Sequence, residues 1–100
     1  MDIQTVDSGQ ELIIIINGDV EMIKMKGLKE KLFDVVNETE KNIVIDFANV
    51  TYLDSSGIGV LITISKILKE KGKTLKLIHL SERIARVLEL SSLADVIEQE

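Results

Sequence analysis

Ile43-Val44-Ile45-Asp46-Phe47, followed after a short loop by Asp54-Ser55-Ser56-Gly57-Ile58-Gly59-Val60-Leu61, decides how this chain folds. The first stretch is short and β-branched, which reads as a strand. The second opens with Asp54 and Ser55, both good helix N-cap types because their side-chain oxygens can accept from orphan backbone N–H groups. Helical spacing then continues to about Lys71, Gly72 supplies a C-terminal stop, and Thr74 to His79 reads as the next strand. A strand-helix-strand unit demands parallel pairing and a right-handed crossover.

Outward from this unit the same grammar repeats. Ile3 to Val6 and Leu12 to Asn17 read as strands joined by Asp7-Ser8-Gly9-Gln10, a cluster with hairpin chemistry. Leu12, Ile13, Ile14, Ile15 and Ile16 are all apolar, which predicts burial on both faces of the second strand, and Gly18-Asp19 ends it. From about Met22 to Asn37, Met25, Leu28, Leu32, Val35 and Val36 recur at helical spacing, with Gly27 inside the helix at a cost of about 1 kcal/mol. Ser81-Glu82-Arg83-Ile84 opens a third helix carrying Val87, Leu88 and Leu90, and the tail packs Leu93, Val96 and Ile97 in a last element of unassigned type. The expected fold is one α/β domain over residues 1–100, ordered β-β-α-β-α-β-α. Its mixed, mostly parallel sheet has an antiparallel N-terminal edge hairpin and flanking helices. Partners of such sheets favour loops at the carboxyl ends of the parallel strands, here 18–21, 48–56 and 79–82.

Composition narrows the function. In 100 residues with a net charge of −5 there is no Cys, no Pro and no Trp, and His79 is the single histidine. A chain of this length buries roughly two thirds of its unfolded surface, enough for a core without disulfides or a structural metal. An acidic surface gains nothing from counterion release, so nucleic acid and anionic membrane are not expected partners. The longest uninterrupted apolar stretch, Leu12 to Ile16, is far short of the roughly 20 residues that cross a bilayer. Met1-Asp2-Ile3 lacks the basic and apolar regions of a signal peptide, so a soluble, cytoplasmic domain is expected.

Enzyme signatures are weak. Gly57-x-Gly59 lacks the third glycine of a dinucleotide fingerprint, and neither a P-loop nor a Gly-x-Ser-x-Gly elbow occurs, so no cofactor is expected. His79 reads as a strand-end residue with a structural or loop role. An alternative groups Asp46 and Asp54 with Asp19 or Glu21 above the sheet, each raising the others' pKa. Against it, Asp54 reads as a cap and Asp19 as a strand terminator. The helix after Ser56 is apolar over an arc of roughly 220°, wider than the roughly 100° one core requires. Either neighbouring helices cover its flanks, or an apolar strip beside two hydroxyls is exposed.

The Asp54-Ser55-Ser56-Gly57-Ile58-Gly59-Val60-Leu61 segment resembles the signature of the STAS domain, in particular the small stand-alone bacterial anti-sigma factor antagonists. Supporting the resemblance are Gly18-Asp19-Val20-Glu21 at the second strand's end, the Ile43 to Phe47 strand, and Leu90-Ser91-Ser92-Leu93. It implies a binding protein rather than an enzyme. Such a protein binds an anti-sigma factor that is also a serine kinase and so releases a sigma factor. The kinase then phosphorylates the antagonist with ATP, and a separate phosphatase restores it. By resemblance the phosphorylated residue is Ser56, the acidic residue before the pair is Asp54, and Asp19 and Glu21 lie in a second contact loop. Ser55, Gly57, Ile58 and Val60 complete the expected partner-binding set. Met22-Ile23-Lys24-Met25 departs from the small and hydroxyl residues often found at the start of the family's first helix. Other STAS roles are a stressosome scaffold and a partner subunit of a lipid-transport ATPase; a small acid-base enzyme using Asp54 and Asp19 is a third reading.

Overall fold

The computed structural model describes residues 2–18, 27–91, 93 and 98–99. Its hairpin is set by local chemistry: the Asp7 carboxylate accepts from the Gly9 N–H at 2.8 Å, the Ser8 hydroxyl donates to the Glu11 carbonyl at 3.0 Å, and Gly9 takes φ 96°. This turn joins β1 (Asp2–Asp7) to β2 (Glu11–Asn17) in antiparallel register, with Ile3 opposite Ile16. The chain continues through α1 (Leu28–Glu38), β3 (Asn42–Asp46), α2 (Ser55–Glu70), β4 (Leu75–Ile78), α3 (Glu82–Glu89) and β5 (Glu98–Gln99).

The five strands lie in the order β1-β2-β3-β4-β5, antiparallel at β1/β2 and parallel elsewhere. The expected β-β-α-β-α-β-α order is therefore present, and a two-residue fifth strand beyond it, not anticipated from periodicity, pairs with β4. Of the expected tail element, Leu93 is buried, whereas Val96 and Ile97 lie outside the described residues. Every parallel crossover steps the same way along the sheet, so right-handed connections bring the helices to one face. Under them Ile14, Ile45 and Leu77 form one register row, each fully buried. Phe47, Leu32, Ile64, Leu68, Ile84 and Leu88 close the core over it.

Two expectations need correction, and one open alternative is settled. Along β2, Ile14 and Ile16 are buried while Ile13 and Ile15 are half-buried, so the strand is fully covered on its helix side only. Gly27 lies outside the helix interior: it is the N-cap of α1 at φ 87°, a positive-φ conformation that glycine adopts without steric cost. Met22 and Met25 lie outside the described residues. The wide apolar arc of α2 leaves no exposed strip, because Val60, Leu61, Ile64 and Leu68 are buried while Ile58, Ile62 and Ile67 pack half-buried against the same core. Neighbouring elements cover both flanks of this central helix.

One tertiary contact secures α1. Its last turn carries no basic residue, yet the Lys71 ammonium at the C-terminus of α2 donates to the carbonyls of Val36 (3.0 Å), Asn37 (2.8 Å) and Thr39 (2.6 Å). These are orphan acceptors at the negative end of the helix dipole.

Candidate functional site

The carboxyl edge of the parallel strands is tied into one rim. The Asn49 side chain donates to the Asn17 side chain at 2.7 Å, and the Gly18 N–H reaches the Asn49 carbonyl at 3.3 Å, joining the loops after β2 and β3. The loop after β4 joins through His79, whose Nδ1 lies 2.9 Å from Asp46 Oδ1. His79 sits at φ 57°, in the left-handed region that histidine tolerates better than bulky or β-branched residues do. Its role is thus at a strand end, as the sequence indicates.

Asp46 also accepts from the Ala48 N–H at 2.9 Å. Partial burial works to raise its pKa, but the bonds from Ala48 and His79 together outweigh that and hold the carboxyl below its ordinary value. This corrects the carboxylate-cluster expectation for Asp46, which is a fixed negative charge within the rim rather than a proton donor near neutral pH. Among the described residues no three His, Asp or Glu side chains are grouped to hold a metal ion.

Asp54 is the N-cap of α2. Its backbone is extended, its side chain accepts from the Gly57 N–H at 3.0 Å, and its carbonyl accepts the Ile58 N–H at 3.1 Å. Ser55 is consequently the first helical residue and exposed, not the cap. Ser56 is half-buried and lines an open groove of about 380 Å³ between α1 and α2, shared with Lys29, Phe33, Gly59, Val60 and Thr63. The α2 members Ser56, Gly59, Val60 and Thr63 recur at three- and four-residue spacing and so share one face.

Of the residues expected to meet a partner, Asp54, Ser55, Ser56 and Ile58 reach the surface around the α2 N-terminus, whereas Gly57 is buried and Val60 is only 7% exposed. Those two shape the helix start rather than project from it. Asp19 and Glu21, together with Met22-Ile23-Lys24-Met25, lie outside the described residues. The sequence reading overlooked Tyr52, a residue 45% exposed on the loop just before the cap. Its signal was available: it is one of three aromatics in the chain and stands two residues before Asp54. It also overlooked Lys29 and Phe33, which only the packing of α1 on α2 brings to Ser56.

Comparison with known proteins gives a consistent picture. The family model of the STAS domain matches residues 2–100. The anti-sigma-B factor antagonist of Bacillus subtilis is 33% identical over 88 residues, covering 88% of this chain and 80% of that protein. A STAS domain protein from Planctomyces limnophilus superposes with a TM-score of 0.88 at 17% identity, covering 98% of this chain and 87% of the other. The anti-sigma factor antagonist SpoIIAA has been solved in two states. The unphosphorylated form gives a TM-score of 0.75 at 15% identity over 99% of this chain and 87% of its own. The phosphorylated Bacillus form gives 0.74 at 17% over 99% and 91%. At these identities the solved structures establish the shared fold.

Proposed function

Because the chain belongs to the STAS domain family, we propose that it is an anti-sigma factor antagonist that binds an anti-sigma factor with serine kinase activity and is switched off by phosphorylation at Ser56. The carrying observation is the Ser56 hydroxyl in the first turn of α2, half-buried but opening into a groove, beside the exposed Ser55 and Tyr52. The contact surface is Asp54, Ser55, Ser56, Ile58 and Tyr52, supported from beneath by Gly57 and Val60; Asp19 and Glu21 join the proposed partner-binding set on the family resemblance alone. Tyr52 is the large amphipathic side chain that such surfaces favour as an anchor. The protein acts in the cytoplasm by binding rather than by catalysis, and a separate phosphatase returns it to the binding state.

In the switching step the Ser56 oxygen attacks the γ-phosphorus of ATP held by the kinase. The new O–P bond forms, ADP leaves, and the hydroxyl proton passes to a base of the kinase. A phosphate adds about −1.5 to −2 charges at pH 7. At the N-terminus of a helix it gains roughly 0.3–1 kcal/mol from the dipole, so the fold tolerates it. Burying it in an interface without a matching cation costs several kcal/mol, and each 1.4 kcal/mol is a tenfold loss of affinity. The interface loss outweighs the local gain, so binding falls by about a thousandfold while the domain stays folded. Incubation with the cognate kinase and ATP, followed by mass spectrometry, tests this: wild type and Ser55→Ala gain one phosphate and Ser56→Ala gains none. Phosphate persisting in Ser56→Ala and vanishing in Ser55→Ala refutes it.

A further inference from the structure

The groove that holds Ser56 has a second wall. Lys29 and Phe33, one turn apart on α1, face the α2 residues Ser56, Gly59, Val60 and Thr63 across it, and the Lys29 ammonium rests 5.8 Å from the centre of the Phe33 ring. Of these six residues Lys29 alone carries charge. The Thr63 hydroxyl already donates to the Gly59 carbonyl at 3.0 Å. Gly59 leaves room: a Cβ built there meets nothing within 4 Å. The groove therefore offers a hydroxyl, open space one helical turn beyond it, and a cation resting on a half-buried aromatic ring, a weak attachment for an ammonium.

We propose that Lys29 is the intramolecular counter-ion of phosphorylated Ser56: on modification its ammonium leaves the Phe33 ring and pairs with the phosphate inside the α1–α2 groove. This rests on the phosphorylation reading above and deepens it. Lys29 suits the task because it is exposed on a flexible four-carbon stem, and a point charge with three donors can follow a phosphate through its rotations. The pairing holds the phosphorylated state in one arrangement across two helices. It also draws part of the new charge into the domain's own surface, so the modified face differs from the free one in shape as well as in charge.

The experiment avoids the kinase, so that the two ideas fail separately. Phosphoserine is installed at position 56 of the full chain during translation, and its phosphorus resonance is titrated by NMR in the wild-type background and in Lys29→Met, Lys29→Arg and Lys66→Met. Lys66 is exposed on α2 outside the groove, so its variant controls for net charge. A free phosphoserine has its second pKa near 6. A cation within contact distance favours the dianion, so the wild-type value falls by about half a pH unit or more. Lys29→Arg keeps the low value, Lys29→Met raises it by about half a pH unit relative to wild type while the helix dipole retains the rest of the shift, and Lys66→Met leaves it low. In parallel, the Lys29 ε-methylene protons lose the ring-current shift from Phe33 once Ser56 carries phosphate. Identical titrations in wild type and Lys29→Met overturn the proposal, as does an unchanged Lys29 ε-proton shift. A kinase that ignores Ser56 refutes the switching reading and leaves this titration to decide the ion pair alone.

Discussion

Replacing Lys71 by Met tests whether one side chain of α2 holds the end of α1. Methionine keeps most of the aliphatic stem and removes the ammonium, whose three donors are all engaged, at 3.0, 2.8 and 2.6 Å, by the carbonyls of Val36, Asn37 and Thr39. Hydrogen bonds from a charged donor contribute about 1.5–3 kcal/mol in favourable cases, and a cation at a helix C-terminus about 0.3–1. Both figures describe largely the same electrostatics and cannot simply be added over three bonds. The expected loss is therefore about 2–4 kcal/mol, a large share of the 5–15 kcal/mol typical of a domain. Local support for α1 is limited: it has 11 residues, no basic residue in its last turn, no side-chain bond at its N-cap and one C-cap bond from the Thr39 N–H to the Val35 carbonyl, and helices this short are marginal alone. Urea unfolding at constant m-value measures the loss, and native-state hydrogen exchange locates it, with α1 amides losing protection first. Lys66→Met, exposed and outside this contact, changes stability by no more than about 0.5 kcal/mol. A Lys71→Met loss as small as that of Lys66→Met refutes the reasoning.

Three further outcomes follow from the same structure. Ile45→Ala, at 0% exposure in the central β3, costs about 2–5 kcal/mol by denaturant unfolding, and a loss under about 1 kcal/mol contradicts its place in the register row with Ile14 and Leu77. Asp54→Ala removes the α2 cap and costs about 1 kcal/mol, whereas Ser55→Ala stays within about 0.5; the reverse order in thermal melts restores Ser55 as the cap. Asp46 has a folded pKa lowered below its unfolded value, so its contribution is fully present above the unfolded value and is lost as pH falls through that value towards the folded one. Wild-type stability therefore declines more steeply than that of Asp46→Asn in acid below about pH 5, and parallel curves for the two proteins contradict the assignment.

The strand-helix-strand grammar was legible without coordinates because its signals are local. Ile43 to Ile45 is β-branched over the length of a strand, Asp54 is a cap type followed by helical spacing, and Gly72 ends that helix at φ 73°. The position of the Asp54-Ser55-Ser56 segment at the edge of the sheet follows from the same signals, since parallel pairing fixes which end of each strand meets the next loop. Local pattern was insufficient wherever two solutions share one periodicity. An all-apolar β2 fits burial on one face or two, and only the placement of the helices on one side leaves Ile13 and Ile15 half-covered. Gly27 fits a helix interior by spacing, and its φ of 87°, a backbone state invisible in composition, makes it a boundary. The two residues of β5 are too few to carry a period and exist through pairing with β4. Contacts between elements distant in sequence lay furthest from reach. Lys71 at the end of α1 and Lys29 beside Ser56 depend on how α1 packs against α2, because a lysine's sequence neighbours do not determine which distant carbonyl or hydroxyl its flexible stem will meet.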